Sequence, residues 1–189
     1  PVQVVGTWGQ HFPKYRPAYR QIYYTSRKTG GGAIQDVLTH AINAAEFLVG
    51  PVDRVMADAA HQVLEGVEVE DTVHVITRHG RVMGCFSLNQ HQAPNENTVT
   101  VVCEKGTARF DLNNARWQSM VEPEGGWKTE FEFSKERDDI FVNQANLFLD
   151  AVEGKGRVAC TVAEGLQTLR VNLTVLEAAD NPDWVALKK

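Results

Sequence analysis

No stretch of this 189-residue chain approaches the ~20 consecutive apolar residues that a membrane-crossing helix requires. Its opening, PVQVVGTWGQ, has neither a basic segment nor a cleavable apolar one, so nothing in it reads as an export signal. Lysine and arginine form no cluster, and the net charge of −5 argues against nucleic acid or an anionic membrane surface as a partner. Cysteine is scarce. Cys85, Cys103 and Cys160 stand far apart among apolar neighbours, which predicts small buried residues of a reducing compartment rather than a disulfide framework, and hence a cytoplasmic location. No G-x-G-x-x-G follows a strand, no G-x-x-x-x-G-K-[ST] occurs, and no G-x-S-x-G elbow supports a hydrolase triad. His74, His79 and His91 lack an acidic or thiol partner at ligand spacing, so no metal is expected. What remains is a small-molecule ligand or a second copy of the chain.

The pattern that is present has two periods. Residues 2–8 have strand character, and the Tyr-, Arg- and Lys-rich segment GQHFPKYRPAYRQIYYTSRKT follows as loop, interrupted by Pro13 and Pro17. Between Val52 and Phe133 apolar residues recur every second position, with turns at His79-Gly80, Lys105-Gly106, Asn113-Asn114 and Gly125-Gly126. That succession predicts a mainly antiparallel sheet of seven or eight strands, one face of which needs covering. Three helices are predicted. The first, 33–49, carries Ile34, Val37, Leu38, Ala41, Ile42, Ala45 and Leu48 at three- and four-residue intervals; the second, 135–154, places Ile140, Phe141, Ala145, Phe148, Leu149 and Val152 on one stripe. The third opens on the capping box Thr161-Val-Ala-Glu164 and runs to Asn181-Pro182, so the formal glycosylation acceptor at Asn172 falls inside a helix. The expected architecture is α+β, one domain over residues 1–189. Because the chain lacks an initiator Met and opens on a strand, it is expected to be part of something longer.

The stretch TGGGAIQDVLTH, 29–40, concentrates the chemistry. Asp36 and His40, four residues apart, share one helical face about 5–6 Å apart, with Asn43 extending the polar stripe. A carboxylate so placed can fix one imidazole tautomer and raise its basicity, which suits a proton shuttle to a hydroxyl; a solvated helix face is the plain alternative. Gly30, Gly31 and Gly32 either let a ligand approach the helix N-terminus or simply make a tight turn. Arg16, Tyr19, Arg20 and Tyr23 suit a polyhydroxylated or carboxylated ligand, and equally suit a subunit or domain contact.

These residues stand in an ordered set. GGGAIQDVLTHAINAAEFLVGPVDRVMA resembles the start of the C-terminal domain of the Gfo/Idh/MocA oxidoreductases, the glucose-fructose oxidoreductase and inositol dehydrogenase family. EDTVHVITRHGRVMGCFSLNQ is similar to the family's hairpin, EKGTARFDL to its G-T-x-x-x-x-L strand, and CTVAEGLQTLRVNLTVLEAA to its closing helix. The resemblance implies an open, mostly antiparallel sheet with helices on one face and the other face used for oligomerisation. It implies a preceding Rossmann domain, absent from this chain, that supplies NAD or NADP and a catalytic lysine from an E-K-P motif. It gives His40 the role of proton donor or acceptor for the hydroxyl whose carbon is oxidised by hydride transfer, and Asp36 that of orienting it or binding substrate. Asn43 falls where many relatives carry an acid.

Two functions follow as expectations. One is the substrate-binding and oligomerisation half of an NAD(P)-dependent dehydrogenase acting on a sugar, inositol or related polyol, with no dinucleotide bound by this chain alone. The other is a non-catalytic module that assembles through its sheet.

Overall fold

A computed structural model describes residues 1–133, 136–181, 183, 185 and 186. The sheet strands are β1 Gln3–Gly9, β2 Arg54–Ala60, β3 Thr72–His79, β4 Val82–Asn89, β5 Glu96–Cys103, β6 Gly106–Asp111, β7 Arg116–Met120, β8 Lys128–Glu132 and a two-residue β9, Val185–Ala186. They lie in the order β8-β7-β6-β5-β1-β4-β3-β2-β9. All pairs are antiparallel except β1 with β4, which run parallel because the helical segment 12–49 and strands β2 and β3 intervene in sequence. The four turns read from Gly and Asn pairs fall between the expected strands, and β9 is an edge strand too short to show a period.

Helices α1 Phe12–Tyr15, α2 Thr39–Val49, α3 Arg137–Val152 and α4 Val162–Ala179, with 3-10 turns at Pro17–Gln21, Tyr23–Thr25 and Arg27–Thr29 and a π-turn at Ile34–Leu38, complete the described elements. Lys135, where the sequence pattern of α3 begins, lies outside the described residues. Alternation along the strands sends Val4, Val55, Val73, Val75, Phe86, Leu88 and Val99 to one face, where Ala41, Ile42 and Ala45 of α2 and Val171, Val175 and Ala178 of α4 bury against them. The chain is thus α+β, with helices on one face of an open sheet.

Two expectations about burial fail. The α3 stripe is exposed: Ile140, Phe141, Phe148, Leu149 and Val152 have between 55% and 68% of their surface accessible. On α4 a second apolar row, Leu166, Leu169 and Leu173, also faces outward, opposite the row that meets the sheet. A helix apolar on two sides is built to be covered on both, and within the described residues only one side is covered. The three cysteines are free, as well as exposed rather than buried. Cys85 illustrates the reason: its neighbours Gly84 and Phe86 point into the core, so the pleat turns the thiol to the uncovered face beside Ile76.

A smaller cluster of Phe12, Tyr19, Tyr24, Leu64, Val67 and Val69 anchors the Tyr-rich segment to loop 61–70, and Val37 bridges it to the main core. Asp71, fully buried, closes that loop by accepting from the backbone N–H groups of Gln62, Val63 and Leu64 at 2.7–3.0 Å. Burial pushes the Asp71 carboxyl up, but hydrogen bonds from Leu64, Val63, Thr72 and Gln62 outweigh it and hold the group below its ordinary range.

Candidate active site

The segment before α2 is a π-turn, Ile34–Leu38, where the helical hydrogen-bond ladder widens, although the Asp36 N–H still reaches four residues back, to the Gly32 carbonyl at 3.0 Å. Asp36 lies within it and His40 just beyond. The sequence periodicity takes 33–49 as one regular helix, because a π-turn has no composition signal. Asn172, buried on α4, donates to the Ile34 carbonyl at 2.7 Å and secures the point where the ladder changes register.

The glycines before this turn serve close packing. A Cβ on Gly31 would sit 2.2 Å from the Tyr24 carbonyl oxygen, and one on Gly32, whose φ is +95°, would sit 2.4 Å from Glu70 Oε1. The Glu70 carboxylate occupies the helix N-terminus from within: it accepts from the Ile34 N–H at 3.1 Å and pairs with Arg27 Nε at 2.8 Å, its side chain only 1% exposed. The glycine run makes a tight, close-packed turn, and an internal acid sits at the positive end of the helix.

Asp36 and His40 line one cleft of about 490 Å³, His40 exposed and the Asp36 side chain 5% exposed. The cleft lies at the carboxyl ends of the parallel pair β1 and β4, bounded by Trp8, Gln10, Gln90, Asn97 and, from α3, Phe141. The Asp36 partners are Arg16, whose Nη1 donates at 3.1 Å, and the Tyr23 hydroxyl, which donates in a short hydrogen bond. No hydrogen bond joins Asp36 to His40 among the described residues. The bond to Asp36 is also what raises the Tyr23 phenol above its ordinary pKa, with burial adding to it.

The remaining sequence candidates part company. Arg16 lines the cleft and Tyr23 meets it through Asp36. Tyr19 points into the small core, 1% exposed, its hydroxyl donating to the Glu65 carbonyl at 2.8 Å. Arg20 donates to the same carbonyl and pairs with the Glu65 side chain. Asn43 donates to Thr168 Oγ1 at 3.1 Å and borders a different hollow, of about 610 Å³, between α2 and α4. Tyr19, Arg20 and Asn43 therefore lie outside the cleft and make contacts within the chain. His74, His79 and His91 are dispersed: His74 sits on the uncovered face, His79 bridges Thr77 and the Gly50 carbonyl, and His91 lies against His11. Among the described residues no group of three or more His, Cys, Asp or Glu could hold a metal ion.

Sequence reasoning passed over Trp8, Gln90 and Asn97. For Gln90 and Asn97 the signal was the amide-rich run NQHQAPNEN, 89–97, linking two strands whose ends meet beside β1.

An open, mainly antiparallel sheet with helices on one face thus carries, at one end, a cleft holding a carboxylate and an imidazole. The chain belongs to the GFO/IDH/MocA family: the model of its C-terminal domain matches residues 1–109. No curated protein matches the chain in sequence. Among solved structures it resembles levoglucosan dehydrogenase in complex with NADH and levoglucosan, at 19% identity and a TM-score of 0.87, covering 100% of this chain and 59% of that one. An NAD-binding oxidoreductase from Klebsiella pneumoniae is similar at 20% identity and a TM-score of 0.84, again over 100% of this chain and 59% of its own. The WlbA dehydrogenase from Bordetella pertussis, in complex with NADH and UDP-GlcNAcA, gives 20% identity and 0.76, over 100% and 57%. The chain thus spans less than two thirds of the length of these relatives. Among the described residues no helix is long and apolar enough to cross a membrane.

The family implies NAD or NADP. Among the described residues the glycine-rich entrance to the π-turn is filled by Tyr24 and Glu70, and β1 with β4 is the single parallel pair of the sheet.

Proposed function

We propose that residues 1–189 form a single substrate-binding and oligomerisation domain of a cytoplasmic NAD(P)-dependent oxidoreductase that acts on a sugar, inositol or related polyol. The observation that carries this reading is the meeting of His40 and Asp36 in one cleft at the ends of β1 and β4. An exposed imidazole at the cleft takes the proton of a substrate hydroxyl as its carbon is oxidised, and returns it in the reverse direction. Asp36 fixes Arg16 and Tyr23 around that cleft, so its contribution is to the shape and donor pattern of the site. Levoglucosan bound to a structural neighbour supports the substrate class.

The nicotinamide cofactor belongs to a Rossmann domain of the parent protein, and the outward rows Leu166, Leu169, Leu173 and Phe148, Leu149 supply apolar surface for that domain to cover. The uncovered sheet face, with Ile76 and Met83 each more than 40% exposed, suits self-association. That same face favours the second reading, a non-catalytic assembly module. The two separate in one assay: the complete protein is expected to reduce NAD or NADP with at least one member of a panel of free sugars, anhydrosugars and inositols. Absence of reduction across the panel, with the protein folded and the cofactor bound, would leave only the assembly reading.

A further inference from the structure

The polar inventory of the cleft is dominated by side-chain amides. Gln10, Gln90, Asn95, Asn97 and Asn113 line it together with His40. Gln90 is 1% exposed; its Oε1 accepts from the Tyr24 hydroxyl, and its Nε2 has no hydrogen-bond partner among the described residues. The Asn97 Oδ1 is likewise buried and, among the described residues, unpartnered. Asn97 lies directly across from Trp8 on the neighbouring strand, and Gln90 follows β4, so both amides belong to the same end of the sheet. A buried donor and a buried acceptor left unpaired are costly, which marks them as places where a bound molecule supplies the partner.

The charges of the cleft narrow that partner. The Arg16 guanidinium is committed to Asp36 at 3.1 Å, and Glu96 adds a further carboxylate to the lining. Among the described lining residues this leaves no uncommitted arginine or lysine to meet an anion. A carboxylated or phosphorylated ligand would face Asp36 and Glu96 without a compensating partner, whereas a hydroxyl both donates and accepts and so satisfies amide NH₂ and amide carbonyl alike.

We propose that the amide end of this cleft is the specificity subsite for an uncharged polyol, in which Gln90 donates to one ligand hydroxyl and Asn97 accepts from one. The proposal rests on the polyol reading above and adds to it the exclusion of acidic sugars and the two residues that read the hydroxyls. Tyr24 acts through Gln90 as a positioning residue: its hydroxyl holds the Gln90 carbonyl oxygen and turns the NH₂ away from itself.

The test uses ¹⁵N-labelled protein of this sequence and follows the side-chain NH₂ resonances of Gln90 and Asn97 during titration with D-glucose, myo-inositol and D-glucuronate. At least one neutral probe is expected to shift both amides, with half-saturation about tenfold or more below that of glucuronate. Gln90→Met keeps the volume and is expected to weaken that binding about tenfold or more, and Asn97→Ala to do the same. Because Gln90→Met removes the acceptor of Tyr24, circular dichroism checks its fold, and Asn97→Ala gives an independent reading should it unfold. Glucuronate binding as tightly as the neutral probes, shifts that leave both amides unmoved, or no response to any probe up to about 100 mM would each overturn the proposal. These outcomes leave the dehydrogenase reading to its own assay. A polyol that binds here in a protein without NAD(P) reduction would uphold the subsite and sink the enzyme.

Discussion

Exchange of His40 for Asn in the complete enzyme is expected to lower kcat by about two to four orders of magnitude while leaving affinity for the nicotinamide cofactor unchanged. Asparagine keeps a hydrogen-bonding head of similar reach but cannot take up a proton near neutral pH, so the substitution removes proton transfer and little else. His40 is exposed at the cleft, outside both core clusters, so the variant should unfold at the same denaturant concentration as the parent. Steady-state kinetics with matched cofactor-binding measurements decide the matter. An unaltered kcat would remove His40 from the chemistry, and a loss of cofactor affinity equal to the loss of rate would point to a disturbed domain arrangement instead.

Substitution of Gly32 by alanine should destabilise the chain by about 2–4 kcal/mol, from the left-handed backbone cost together with displacement of a buried hydrogen-bonded carboxylate. Gly32 has φ +95°, and its added methyl would lie 2.4 Å from an oxygen of Glu70, which is held by the Ile34 N–H and Arg27. Gly30, with φ +87° and nothing within 4 Å of its would-be Cβ, is the internal control. Its alanine variant should cost only the backbone contribution, about 1–2 kcal/mol. Urea unfolding of the two variants reads the difference; equal costs would mean that Glu70 moves aside freely and does not fix the start of the π-turn.

The contrast between those glycines shows where sequence reading reaches and where it stops. Period-two alternation and the Gly and Asn pairs place most strands because each signal is local, whereas the parallel pairing of β1 with β4 depends on contacts more than seventy residues apart. The spacing of Asp36 and His40 put them on one face, and both line the cleft, but the π-turn that holds Asp36 and its ties to Arg16 and Tyr23 were not legible, since no residue type marks them. Tyr19 and Arg20 matched Arg16 in composition, and only the fold separates them: the small aromatic core and the Glu65 carbonyl take the first two, and Asp36 takes the third. Gln90 and Asn97 were visible only as an amide-rich run, because an unpaired amide is defined by what surrounds it in space. Likewise Cys85 looked buried in a linear reading, since its apolar neighbours conceal the pleat that turns it outward.

The central claim is that the cleft between β1, β4 and the π-turn receives the hydroxyl to be oxidised. A crystal structure of the complete enzyme with its cofactor and a polyol that it turns over tests this most directly. The account predicts the reacting hydroxyl oxygen at hydrogen-bond distance, about 2.6–3.2 Å, from a His40 ring nitrogen, with further ligand hydroxyls at Gln90 and Asn97. A polyol seated instead in the hollow bordered by Asn43, Phe47 and Thr168, with His40 facing solvent, would contradict it.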